Sequence, residues 1–185
     1  MQTMRRKIAV AAAALLTVVA TAACTAMPIT PVTSTVPSVD IERYLGTWYE
    51  VASVKQFFSV GLVNTKAIYS PLPNGGGVVV NNSGNYFTND GPVSEIFGAA
   101  VPVDSSNARL NVSFTGSYST EGLGNYWIVD LDADYQWAIV SDPTGNSCFI
   151  LSRTKFISPE LKADLLARAA AKGVNISNVT DTPQF

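Results

Sequence analysis

"YLGTWYEVA", residues 44–52, reads as a strand that opens with a glycine and a threonine and then places Trp48, one step after the helix-like "DIERY" of residues 40–44. A residue as bulky as tryptophan seldom stands at the entry to a strand unless it closes something. What it closes depends on what the rest of the chain builds.

From this stretch onward the sequence is a run of short segments rich in Val, Ile, Tyr, Phe and Thr, at 47–54, 62–70, 78–86, 93–101, 108–115, 126–132, 137–141 and 148–154. These residue types fit a pleated, half-buried surface. Between them lie "PLPNGGG", "TNDGP", "PVDSSN", "GSYSTEGLG" and "DPTGN", each with turn chemistry. Eight strands on short connections favour an antiparallel meander, and such a sheet hides its edges by closing on itself. One helix follows in "SPELKADLLARAAAKG", with Ser158 as N-cap, Pro159 at the first helical position and Gly173 as the stop. Leu161, Leu165, Leu166 and Ala169 form its apolar stripe, and the tail after it reads as extended. The expected fold is all-β: an eight-stranded antiparallel up-and-down barrel with one C-terminal α-helix packed outside. A barrel of this size either fills with side chains or holds one small ligand, and the pattern leaves both open.

Composition narrows the chemistry. There is no histidine among the 185 residues, which removes Ser-His-Asp and Cys-His catalysis, His-ligated zinc and a proximal haem histidine. Lys and Arg are not clustered outside the first seven residues, so a nucleic-acid footprint is absent. "DLDADY" sets Asp130, Asp132 and Asp134 at alternate positions like the start of a calcium loop. The required Gly and Glu are replaced by Tyr135 and Ser141, so it reads as a polar hairpin and no metal site is expected. "NGGG" lacks the lysine of a phosphate loop, and Glu50, Glu95 and Glu121 are scattered rather than paired for glycoside chemistry.

The N-terminus reads as a targeting segment over residues 1–23: a basic "MQTMRRK" followed by an apolar run ending in small residues. The alternative is an uncleaved membrane helix, since the run falls little short of the ~20 residues that span a bilayer. "TAAC", residues 21–24, looks like a bacterial lipobox that would make Cys24 the lipidated first residue, although Thr21 stands where an aliphatic residue is preferred. Ordinary cleavage near Ala22 is the other route, giving a secreted protein. The Ser/Thr/Pro-rich stretch 24–39 suits a tether, with the folded domain at 40–185. Loss of Arg5, Arg6 and Lys7 with the leader takes the formal charge from −2 to −5. Cys148 is the only other cysteine, a packed thiol or a disulfide partner of Cys24.

Three motifs carry a family resemblance. "GTWYE" (46–50) resembles the opening motif of the lipocalins, "DADY" (132–135) their second motif, and "ILSRT" (150–154) the arginine of their third. "QFFSVGLVNTKAIYS", "FGAAVPVDSSNARLNVSF", "NYWIVDLDADYQWAIVSDP" and the final "TPQF" are similar to one branch: the bacterial outer-membrane lipocalins with the plant temperature-induced lipocalins and apolipoprotein D. The resemblance covers roughly residues 40–185. It implies that the Asp40–Tyr44 turn plugs one end of the barrel, that Trp48 lies across that end, and that Arg153 sets its guanidinium on the indole. Gly46, Trp48, Tyr49, Asp134, Tyr135 and Arg153 are thus expected at the barrel closure.

The resemblance further implies a carrier of one hydrophobic molecule, a fatty acid or lysophospholipid, without a cofactor, in the bacterial cell envelope and anchored through Cys24. Phe57 and Phe58 fall in the loop expected at the open mouth. Tyr69, Phe97, Phe114, Trp127 and Trp137 complete the candidate ligand contacts. The oligomeric state is not readable, although some relatives form a homodimer. Two other classes fit the same barrel: a lipid-modifying enzyme working through Cys148 or a tyrosine, and a haem or pigment carrier with a Tyr or Met ligand. No histidine is available to activate Cys148, which favours packing for that thiol.

Overall fold

The computed structural model describes residue 32 and residues 34–185. The expected leader and Cys24 lie outside the described residues. Nine strands form one sheet: β1 Gly46–Val54, β2 Leu62–Pro71, β3 Val78–Tyr86, β4 Val93–Pro102, β5 Arg109–Ser113, β6 Tyr126–Leu131, β7 Trp137–Ser141, β8 Phe149–Ser152 and β9 Val179–Asp181. All neighbours are antiparallel, and β1 meets both β8 and β2, so strands β1 to β8 close into a barrel. Helix α1, Ile41–Tyr44, precedes the barrel, and helix α2, Pro159–Ala171, packs outside it. The eight expected strands and the outer helix are all present.

Two apolar clusters divide the molecule. The barrel interior holds Trp48, Ala67, Tyr69, Val78, Val80, Leu110, Ile128 and Val140 among others. The second cluster lies on the outer face of β6, β7 and β8, where Val129, Ile139, Cys148 and Ile150 meet Leu165 and Ala169 of α2. Alternate residues of one strand therefore serve two cores, because α2 covers the outer wall. The helix starts as its sequence directs, Ser158 Oγ accepting from Leu161 N at 3.1 Å. It ends in a Schellman motif: Gly173 (φ +87) bonds Ala170 O, and Val174 N bonds Ala169 O, both at 3.0 Å.

The short β9 is the element sequence reasoning missed. β1 and β2 pair only as far as Tyr49 and Lys66, leaving a split in the wall toward one end of the barrel. The C-terminal tail enters that split: β9 pairs with residues 52–54 of β1, and Pro183 O accepts from Asn64 N on β2. Gln184 Nε2 donates to both Glu50 O and Thr65 O at 2.9 Å. Otherwise open strand edges are thereby satisfied. Glu50, buried beneath the tail, accepts from Ser53 Oγ at 2.8 Å, Thr182 Oγ1 at 2.5 Å and Lys55 Nζ at 2.6 Å, so its charge is not left unpartnered. Within the stretch expected to be a tether, Val36 N already bonds Ile128 O, and Val32 and Val39 are buried.

Candidate functional site

The two barrel ends are built from different chemistry. At the end where β1 begins, α1 lies across the opening. Asp40 caps it, its carboxylate accepting from Glu42 N at 3.0 Å and Arg43 N at 3.4 Å. Trp48 is wholly buried above the helix, and its indole N–H donates to Tyr44 O at 2.8 Å. Arg153, just past β8, sets its guanidinium 3.8 Å from the Trp48 ring centre. It also donates to Arg43 O at 2.7 Å, Thr47 O at 2.9 Å and Tyr135 O at 3.2 Å, joining three chain segments. Burial lowers its pKa from the usual arginine value, with Tyr44 and Tyr69 opposing the shift. Gly46 (φ +92) passes beside this group; a β-carbon there would stand 3.5 Å from Arg153 Nη1.

The 132–136 turn completes the closure. Arg43 lies over the Tyr135 ring at 4.1 Å and donates to Ala133 O, while Asp40 N donates to Tyr135 Oη at 2.9 Å. Tyr135 holds φ +58 to do so. Asp134 is exposed and contributes through its backbone, its N–H going to Asp132 Oδ2. Tyr49 points outward, lining a polar groove with Lys66 and Lys155. Five of the six expected closure residues thus meet at one end; Tyr49 is on the outer wall.

Above the closure the interior is not filled. Aliphatic side chains from β3, β4, β5 and β6, with Asn82, surround a cavity of about 50 Å³. On its wall three hydroxyls meet: Tyr126 Oη lies 2.9 Å from Tyr44 Oη and 3.1 Å from Tyr69 Oη. Burial pushes Tyr69 up to about 12 and holds Tyr44 and Tyr126 well above the ordinary tyrosine value, so all three are neutral. Three hydroxyls carry three protons, and two hydrogen bonds use two of them. One donor is left for whatever enters.

Residues 39–184 match the lipocalin-like domain. The chain belongs to the lipocalin family. It is 38% identical over 143 residues to the outer membrane lipoprotein Blc of Escherichia coli, covering 77% of each chain. It is 34% identical over 158 residues to temperature-induced lipocalin-1 of Arabidopsis thaliana, covering 80% of this chain and 81% of that protein. Among solved structures, lobster apocrustacyanin A1 superposes with a TM-score of 0.57 at 20% identity, covering 78% of this chain and 79% of that one, a likeness of fold.

As a lipocalin, the protein has its mouth at the other end, where the loops 55–61, 87–92, 114–125 and 142–148 connect the strands. Phe57 and Phe58 stand there in a 3-10 turn, 91% and 60% exposed, their rings edge to face at 5.3 Å. Phe114 lies over Gly98, where a β-carbon would meet its ring at 2.6 Å. Tyr69 lines the cavity. The other expected ligand contacts need correction. Phe97 pairs with Asn81 on the outer face and is exposed, while its neighbour Ile96 pairs with cavity-lining Asn82. Trp127 and Trp137 belong to the outer cluster under α2, with Arg168 5.6 Å from the Trp137 ring.

Cys148 is buried in that same outer cluster, away from the cavity, and burial pushes its thiol up to about 12. The nucleophile considered from the sequence is therefore held protonated and lies outside the cavity lining. Of the aspartates that looked like a calcium loop, Asp130 faces Arg168 at 3.6 Å and Asp132 accepts within its own turn. Sequence reasoning missed Tyr44 and Tyr126 as cavity residues. The alternation of Tyr126 with Ile128 against Trp127 with Val129 was the available signal, but it does not say which pair faces inward.

Proposed function

We propose that this lipocalin holds one hydrophobic molecule with a small polar end, a fatty acid in the first place and a lysophospholipid in the second, at the bacterial envelope. The observation that carries the reading is the tyrosine cluster on the wall of an otherwise aliphatic cavity. The spare hydroxyl proton suits a carboxyl group, and a space of about 50 Å³ takes that end of a chain but not a phospholipid headgroup. The remaining methylenes extend past Ile96 and Phe114 toward the mouth, each contributing about 0.8 kcal/mol when buried. A lysophospholipid would enter tail first. Cys24 is the proposed acylation site, consistent with similarity to an outer membrane lipoprotein.

Displacement of a fluorescent fatty acid tests this. The protein is expected to take up the probe and to release it to palmitate and, more weakly, to lysophosphatidylcholine. Val112→Trp, which fills the cavity from β5, abolishes uptake while leaving the circular dichroism unchanged. Uptake unaffected by Val112→Trp, or no uptake by the parent protein, overturns the assignment.

A further inference from the structure

The rim of the mouth is apolar on three separate loops. Phe57, Phe58 and Val60 come from the first, Phe87 from the second and Leu123 from the third, with exposures of 60% or more. Phe87 is held outward by a left-handed backbone, φ +66, which a bulky side chain rarely adopts. Its N–H donates to Gly61 O at 2.7 Å, and its ring rests where a β-carbon on Gly61 would be, which ties the second loop to the first. Strain of this kind persists where the surroundings impose it. The four mouth loops each carry a single charged residue, Lys55, Asp90, Glu121 and Asp142, and Lys55 is already paired with Glu50.

A second observation is independent of the rim. Val39 N bonds Ser106 O at the closed end, whereas Val32 lies against the β7–β8 loop, 3.5 Å from where a β-carbon on Gly145 would stand. Val32 thus lies on the mouth side of the barrel and Val39 at the closure. The eight residues from Cys24 to Val32 reach at most about 28 Å. Turning the closed end to the membrane would spend roughly 23 Å of that on the barrel's own length.

We infer that the mouth rim is a membrane-docking surface: Phe57, Phe58, Val60, Phe87 and Leu123 enter the boundary between headgroups and acyl chains of a phospholipid bilayer, and the barrel opens onto it. The occupant is the lipid surface rather than a protein, because Val32, beyond which the proposed anchor Cys24 is only eight residues away, and the apolar side chains of the rim lie at the same end. Charge plays little part, so zwitterionic lipid suffices and salt has little effect. The orientation rests on the anchor proposed above; the affinity of the rim does not.

The test uses the mature protein made with its own leader, mixed with phosphatidylcholine vesicles containing nitroxide-labelled lipid. An environment-sensitive fluorophore is placed at Val60→Cys on the rim or at Pro73→Cys in the closed-end β2–β3 turn; wholly buried Cys148 does not compete for the label. The Val60 probe is expected to shift to the blue and to be quenched severalfold more than the Pro73 probe. Without acylation, binding through the rim alone should fall about tenfold or more in Phe57→Asp/Phe58→Asp. Equal quenching at both sites overturns the inference, as does a blue-shifted but unquenched Val60 probe, which would mean that a second copy covers the rim. An unacylated protein that still floats with vesicles ends the anchor and keeps the docking. An acylated protein whose rim probe stays unquenched does the reverse.

Discussion

The two ends of this barrel differ in what holds them. At the closed end a wholly buried indole, a guanidinium bonded to three carbonyls and a second cation over Tyr135 tie α1, β1, the 132–136 turn and the end of β8 together. At the mouth, large apolar side chains stand exposed to water on the connecting loops. Removing a side chain at the first end breaks a network whose members depend on one another. Removing one at the second loses almost nothing from the fold. The stabilising network and the exposed apolar surface thus lie at opposite ends.

The comparison breaks most sharply at Trp48. Trp48→Ala removes a fully buried ring and leaves the guanidinium uncovered, and urea unfolding should register a loss of about 3–5 kcal/mol. Arg153→Lys keeps a charge but not the planar fork that serves three carbonyls, and is expected to cost about 2–3 kcal/mol in the same measurement. Stabilities near the parent value for both would dissolve the contrast.

Alkaline pH sharpens it further. Cys148 and Tyr69, each raised to about 12, keep their protons in the folded state at pH values where the unfolded chain has lost them. The folded state then binds more protons than the unfolded one, so stability falls as pH rises. It is complete below about pH 9, then declines by about 1.4 kcal/mol per pH unit for Cys148, with the tyrosines joining above about pH 10. Unfolding midpoints across pH 8–11 check this. Cys148→Ala should flatten the portion between pH 9 and 10 and leave the steeper tyrosine portion in place. The smallest effect belongs to the rim: Phe57→Ser/Phe58→Ser should change unfolding free energy by less than about 0.5 kcal/mol. A large loss there would mean that the two phenylalanines support the fold after all.

The closed end was legible through resemblance: "GTWYE", "DADY" and "ILSRT" are similar to the three lipocalin motifs, and the closure residues came with them. Residue types alone raised only the question of what Trp48 closes. The strands were legible from β-branched and aromatic runs divided by turn residues. What faces the cavity was not. β6 shifts register between Ile128 and Asp130, and β1 and β2 carry similar shifts, so simple alternation loses its phase. The outer wall under α2 is as apolar as the interior, which is why Trp127 and Trp137 looked like lining residues. β9 was hidden for another reason: three residues of "VTD" become a strand only because β1 and β2 separate beside them.

The most direct test of the account is native mass spectrometry of the protein made with its own leader in a bacterial host and extracted with mild detergent. The expected result is a mature chain beginning at Cys24 with added acyl mass, carrying a releasable lipid with a carboxyl end. A chain without acylation, arriving empty and remaining empty after incubation with palmitate, would contradict it.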